Sequence, residues 1–493
     1  MASEKQASEE EKLESTSVAF LVIDPDEERR LVHKLDKRIL PITCMLYLFA
    51  FLDRSNLGNA RLQGLPEDVL GGDPTGTRFD WVNSVFFFAY ILCQVPCTIA
   101  SKLVPPRIWL ACVTFGWGMC STLMATTFDF GGLMAVRLFL AVFEAGFVSV
   151  VPLYFSFFYT KAELGMRMGY WFGFAAVAGA FGGLLAFGVQ HAHAAIHSWR
   201  ILFIIEAHGI PPILLALVAL CLLPNRPQST TFFNDRERAI AVERMNRGTS
   251  ADVGVKVEKG ADVLDAHQLI AHILMAFRDW RIYAGGVIYF GCNCSLASIA
   301  AFLPTVLATF GFTDALAQLL TVPPYAVAAI MLLSFSYTSD RLQSRGILMA
   351  IACAISAIGY VLLLSILNVH IRYFAVFCIV SGTYTTIGEV TFANNLGSET
   401  KRAAGIPLFM SIGQCGSVLG SHIFPLTEGP RYMFLHQVSC ALAFLACALC
   451  LVLSMSYRID NARRDRLYGK PKPDSRVETG QFADKAPDFR YVC

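Results

Sequence analysis

Long apolar runs separated by short polar stretches set the pattern of this chain. Six runs occupy its first part, at about 39–59, 80–103, 107–127, 131–158, 166–190 and 200–223. Six more follow, at about 281–308, 316–338, 347–367, 372–395, 403–425 and 433–456. A helix needs roughly 20 apolar residues to cross the hydrocarbon core of a bilayer. The pattern therefore predicts an all-α membrane protein with twelve transmembrane helices in two six-helix halves.

The polar stretches divide the chain further. Residues 1–38 are expected to form an N-terminal tail, 39–223 the first half, 224–279 a linker, 280–456 the second half and 457–493 a C-terminal tail. Within the linker, Asn234 is placed to cap a short amphipathic helix through DRERAIAVERMNR, whose Glu and Arg spacing suits surface pairs. That helix is expected at the membrane face without a chemical role. The tail from Tyr457, with Arg463, Arg464, Arg466 and Lys470, reads as polar and flexible.

Lysine and arginine set orientation, because cationic short loops stay on the cytosolic side. Lys102 with Arg107, Lys161 with Arg167, Arg341 with Arg345 and Lys401 with Arg402 fall in four loops on one side of the predicted topology. Both termini and the linker share that side, which makes it the cytosolic one. The opposite loops hold the acidic LPEDVLGGDPTG, the HAHAAIHS stretch and a TEGPR turn.

Composition agrees with the pattern: 55% of residues are hydrophobic and only 16% charged. A formal charge of +2 gives no reason to expect nucleic acid as a partner. Most of the fifteen cysteines lie in apolar runs, where they read as small packing residues. Cys292 and Cys294 lack the spacing and neighbours of a zinc site. His191, His193 and His197, at spacings of two and four, do not share one helix face and read as an exposed loop. Neither a metal nor another cofactor is expected. The many intramembrane glycines, such as Gly179, Gly183 and Gly416, allow close helix approach.

Against this background a few ionisable residues stand out, since a charge at membrane depth costs several kcal/mol unless it has a partner or a task. Asp53 and Arg54 lie in YLFAFLDRSNLGNA, Arg137 and Glu144 within the fourth run, and Glu389 within the tenth. Arg137 and Glu144 are seven residues apart, two helical turns, which puts both on one face. The spacing predicts either a pair between them or a pair of Asp53 with an arginine, as a structural bridge, a functional gate or both. A guanidinium is the group suited to grip a carboxylate, so Arg54 and Arg137 are candidate anion ligands. A carboxyl group out of water favours its neutral form, so Asp53 and Glu144 are candidate proton carriers. Asn293, in GCNCS, and Glu389, in SGTYTTIGEVTFANN, are further candidates for the substrate path. In SYTSDRLQSRG, Asp340 is expected to cap the next element or pair with Arg341 or Arg345 and so hold a gate.

Five stretches carry a family likeness: LDRSNLGNAR, RLFLAVFEAG, WRILFIIEA, LLTVPPYAVAAI with SDRLQSRG, and NNLGSETKRAAG with GSHIFPLTEGPRY. Together they resemble the anion:cation symporter branch of the major facilitator superfamily, and within it the fungal allantoate permease-like group. The resemblance implies the major facilitator fold, a multi-pass plasma-membrane monomer with cytosolic termini, and uptake of a small organic anion with protons or sodium by alternating access. It assigns anion contact to Arg54 and Arg137 and coupling protons to Asp53 and Glu144. Cargo in this group comprises small carboxylated nutrients and vitamins. The turn SKLVPPRIW lacks an acid found in many superfamily members, and Pro407 interrupts the eleventh run.

Two other functions fit the same pattern: export of an acidic metabolite, and a nutrient receptor that binds without transporting. An enzyme does not fit, because no nucleophile, base and orienting group fall together.

Overall fold

The computed structural model describes residues 24–73, 76–190, 197–205, 210–246, 266–312, 314–342, 344–389, 395–397, 399–423, 432–470 and 483–491. Among the described residues the structure is helical and has no strand. The first six predicted spans appear as α1 (Pro25–Arg61), α2 (Thr77–Ala100), α3 (Pro106–Met124), α4 (Phe130–Val148, continued by Val150–Phe155), α5 (Lys161–Gln190) and α6 (Ser198–Ile205 with Ile210–Leu222). The second six are α7 (Trp280–Ala308), α8 (Val322–Leu342, preceded by Asp314–Leu319), α9 (Arg345–Ser365), α10 (Val369–Glu389), α11 (Glu399–His422) and α12 (Met433–Tyr468). Seven of these, α2, α4, α5, α7, α8, α9 and α12, are long and apolar enough to cross a membrane on composition alone. The others are shorter, split or richer in polar residues.

Helix packing repeats at an offset of six. In the first half α1 lies on α5, α2 on α4, and α3 on α4 and α6; in the second α7 lies on α11, α8 on α10, and α9 on α10 and α12. The halves meet through α2 against α11 and α5 against α8, contacts that exchange under the same offset. This is the geometry of a repeat related by an axis along the membrane normal, with its shared chamber between the halves. Close approach depends on small residues. A Cβ on Gly58 of α1 would sit 2.7 Å from the carbonyl oxygens of Ala300 and Ala301 of α7, and one on Gly183 of α5 would sit 2.9 Å from the Gln318 carbonyl oxygen.

α1 begins well before its apolar run. Asp24 accepts a hydrogen bond from the Asp26 amide at 3.1 Å, and Asp26, Glu27 and Glu28 occupy the first turn, where negative charge meets the positive end of the helix dipole. The linker helix Asp235–Asn246 docks against this extension. Lys34 pairs with Glu237 at 2.8 Å, Arg236 with Glu27 at 2.8 Å, and the fully buried Arg244 with both Glu28 and Glu163. Glu237 also accepts from the Asn234 amide at 2.9 Å, closing the helix start three residues upstream.

The C-terminal region differs from the flexible tail expected from its polarity. α12 continues to Tyr468, and Ala486, Phe489 and Tyr491 pack as buried residues against it. Arg464 donates to the carbonyls of Asp484 and Phe489, and Asn461 exchanges two hydrogen bonds with the Tyr491 backbone. Lys401, at the start of α11, holds Asp279 at 2.8 Å and Asp484 at 2.7 Å. A charged tail reads as solvated; here Asp484 faces a buried cation and Arg464 is spent on backbone carbonyls.

Candidate functional site

Asp53 and Arg54 are neighbours on α1, so their side chains leave the helix about 100° apart. Each is thereby delivered to a different helix of the same half. Asp53 is fully buried and accepts a hydrogen bond from the Ser121 hydroxyl of α3. Arg54 reaches α4, where its Nε and Nη2 donate to Glu144 Oε2 at 3.0 and 2.8 Å. The Arg54 guanidinium also lies 4.9 Å from the Phe86 ring centroid and 5.0 Å from that of Tyr90, both on α2. Aromatic faces stabilise a cation electrostatically, and the effect grows as water is removed.

Of the pairings anticipated, that of Arg137 with Glu144 is not the one formed. Arg137 and Glu144 are both buried on the interior face of α4, but Glu144 is taken by Arg54 from across the helix interface, and Asp53 bonds a hydroxyl. The reason is reach: Arg54 enters at the level of Glu144, whereas Arg137 lies two turns away along α4. Arg137 rests 5.5 Å from the same Phe86 ring, so the two guanidinium groups flank one aromatic side chain. Its Nε and Nη1 are buried and have no hydrogen-bond partner among the described residues, and Glu144 Oε1 is in the same condition. Two cations and two acids thus share one interior region, with donors and an acceptor left over among the described residues.

A small cavity between the halves, of about 20 Å³, lies beside this cluster and is called the chamber below. Phe51 and Arg54 of α1, Phe87 of α2, Asn293 and Leu296 of α7, and Ser417 of α11 line it. Asn293 is buried and anchored by donating from Nδ2 to the Tyr289 carbonyl at 3.0 Å. Glu389 ends α10, and its side chain lies outside the described residues, as does Asn394. One end of the chamber is closed where Phe79 of α2 meets Phe302 of α7, ring centroids 6.4 Å apart, and where Asn83 donates to Ser421 at 2.8 Å.

At the opposite end Asp340 of α8 does join the halves. Its Oδ1 accepts from Arg345 at 2.9 Å while its Oδ2 accepts from the Met166 amide of α5 at 2.7 Å. Of the two arginines weighed as partners, Arg345 takes the role. Arg341 instead stacks 4.9 Å above Tyr337 on its own helix. His191 and His193 lie outside the described residues, and His197 Nε2 stands 3.8 Å from Asp68. Among the described residues no group of three or more His, Cys, Asp or Glu is arranged to hold a metal ion.

Sequence reasoning did not single out Ser121, Asn83, Phe86, Tyr90 or Ser417. Ser121 and Asn83 carried a faint signal as polar residues inside apolar runs. The aromatic pair carried none, since a Phe or Tyr in a membrane helix reads as lipid contact or packing.

Comparison with known proteins places this architecture. The model of the Major Facilitator Superfamily matches residues 43–425. "Major facilitator-type transporter hxnP" of Emericella nidulans is 32% identical over 481 residues, spanning 95% of this chain and 94% of that one. The "High-affinity nicotinic acid transporter" of Saccharomyces cerevisiae is 27% identical over 477 residues, 94% of this chain and 85% of that protein. Among solved structures, the partially occluded, inward-open xylose transporter XylE from E. coli superposes with a TM-score of 0.61 at 13% identity, covering 83% of this chain and 97% of that chain, a likeness of fold. The match over residues 43–425, with a relative 32% identical along almost its whole length, shows that the chain belongs to the Major Facilitator Superfamily of membrane transporters.

Proposed function

We propose that this transporter is a proton-coupled symporter of a small organic anion, of the anion:cation symporter branch and its allantoate permease-like group. The observation that carries the reading is the charge balance beside the chamber. With both acids ionised, Arg54, Arg137, Asp53 and Glu144 sum to zero. Protonating one acid leaves the cluster with a net positive charge in a low-dielectric site, where an isolated charge is expensive. A bound carboxylate restores neutrality, so proton and anion favour each other's presence and cross together. Arg137, with two unpartnered nitrogens, is the group free to take the anion, and Arg54 is released to help when Glu144 gains a proton. Phe51, Phe87 and Leu296 offer the cargo an apolar body contact, and Asn293 a polar one. The similarity to a nicotinic acid transporter supports a small carboxylate.

In this reading the halves rock about the chamber, Asp340 with Arg345 secures one gate, and the protein acts as a monomer in the plasma membrane with cytosolic termini. Glu389 is retained as a candidate path residue. The test is uptake into vesicles with an imposed inside-alkaline pH gradient, using labelled nicotinate, pantothenate, biotin and succinate. Wild type should concentrate at least one of these in proportion to the gradient, and Arg137→Ala should lose saturable uptake of it. Uptake indifferent to the gradient, or unchanged affinity in Arg137→Ala, would refute the proposal.

A further inference from the structure

The cationic face of α1 does not end at Arg54. Arg61 follows seven residues later, two turns along the same face, or roughly 10 Å toward the end of the bundle that carries the α1–α2 connection. Neither the charge balance above nor the family likeness assigns it a role. Its guanidinium lies 4.5 Å from the Phe79 ring centroid and 5.2 Å from that of Phe302. These two fully buried rings belong to opposite halves and are the contact that closes this end of the chamber. Arg61 Nη1 is buried with no hydrogen-bond partner among the described residues. Asp80, one residue beyond Phe79, and Asp73 interact with it electrostatically, but among the described residues neither makes a salt bridge to it, and Asp80 Oδ1 is buried and unpartnered.

A guanidinium held by two ring faces, with the Asp80 and Asp73 carboxylates acting on it only from beyond salt-bridge distance, is a cation whose directed hydrogen bonds are left unmade. Ring faces compensate its charge only in part, and a carboxylate does so with two directed hydrogen bonds. Separating the halves at this end withdraws Phe302 with α7 and leaves Arg61 on α1 beside Phe79 alone. We infer that Arg61 is an entry site for the anionic cargo: it captures an organic carboxylate when this end is open, and passes it two turns along α1 to Arg54 as the end closes and Phe302 returns to cover it. This rests on the organic-anion reading and adds a second, sequential binding site to it. Closing the rings over Arg61 also explains why the anion leaves it, since the aromatic faces and the cargo compete for one guanidinium.

The role predicts a split that a merely structural arginine would not produce. In proteoliposomes assayed with labelled nicotinate, pantothenate, biotin and succinate, Arg61→Gln should raise the KM for entry from the Arg61 side about tenfold while Vmax changes less than about twofold. The KM for exit from the opposite side should stay at its wild-type value, with the exit Vmax falling about tenfold, because the ratio of Vmax/KM in the two directions is fixed by the transport equilibrium and the twofold limit applies to entry. Arg61→Lys, which keeps the charge without the planar fork, should fall between them. Raising ionic strength should weaken wild-type entry more than entry by Arg61→Gln, because screening acts on the removed charge. Equal KM changes in both directions, or none, would overturn the inference while leaving the central site standing. If wild type carries no member of the panel, the organic-anion reading falls and takes this one with it.

Discussion

Removing either partner of the Arg54–Glu144 pair should not cost the same, and the asymmetry can be worked from the geometry. The Glu144 side chain is fully buried, whereas that of Arg54 retains 14% exposure toward the chamber. Arg54→Gln leaves a buried carboxylate facing a neutral amide that meets it at best with one hydrogen bond. Loss of one member of a buried pair costs about 3–5 kcal/mol. Glu144→Gln instead leaves a cation that keeps a carbonyl acceptor at Oε2's place and two ring faces at 4.9 and 5.0 Å. Exchanging a carboxylate for an amide carbonyl as the acceptor of the charged Arg54 donors costs about 1–2 kcal/mol, and the rings offset part of that. The double substitution removes the uncompensated charge altogether and should be less destabilised than Arg54→Gln alone. The assay is thermal unfolding of the purified protein in one detergent at one pH, ranking Tm values. The expected order is wild type, then Glu144→Gln, then the double variant, then Arg54→Gln. A Glu144→Gln Tm at or below that of Arg54→Gln would refute the reasoning, because the buried acid would then not be the dependent partner.

Other parts of the structure give sharper conformational tests. Gly58→Ala places a methyl group against the Ala300 and Ala301 carbonyls; overpacking of this kind costs about 1–3 kcal/mol. It should hold the Phe79–Phe302 end open, seen as faster modification of Asn83→Cys by a water-soluble thiol reagent and a lower transport Vmax. Asp340→Asn removes the charge that holds both Arg345 and the Met166 amide, which should shift the gate toward opening by about 1–2 kcal/mol, five- to thirtyfold in population. Double electron–electron resonance between labels on α5 and α8 would report the shift as a longer distance distribution. Burial pushes the Glu237 carboxyl up, but hydrogen bonds from Lys34 and the Asn234 amide, with the Lys34 charge, outweigh it and hold it below the usual carboxylate range. A depressed folded value means that this clasp contributes above the unfolded value and is lost as pH falls through the folded one, which lies below the ordinary glutamate value. Hydrogen exchange in the linker helix, corrected for intrinsic rate, should accelerate below that folded value and not between pH 5 and 8, whereas Glu237→Gln should show no such step.

The architecture was legible because the bilayer imposes a single length rule: each apolar run that predicted a span is met by a helix, including α11, which continues through Pro407. The charged cluster was legible for the same reason, since Asp53, Arg54, Arg137 and Glu144 at membrane depth each called for a partner or a task, and the structure brings the four together. Their pairing was not, because helix periodicity fixes which residues share a face but not how α1 is seated against α4. Arg54 captured Glu144 through a difference of two turns in height. The choice between Arg341 and Arg345 was hidden likewise: four residues along the sequence decide which one turns toward Asp340. The C-terminal segment misled because Asp484 meets the buried Lys401, which lies far away in sequence, while Arg464 is used up on the segment's own carbonyls.

Accumulation by Glu144→Gln tests the central claim most directly, since it separates binding from coupling. Vesicles loaded with unlabelled cargo should exchange it for label at close to the wild-type rate, because Arg137 and the released Arg54 still bind the anion. Under an inside-alkaline gradient the same vesicles should equilibrate the label without concentrating it, while wild type concentrates it. A variant that still accumulates cargo against its gradient as wild type does would contradict the account, because the proton would then travel by a route that does not include Glu144.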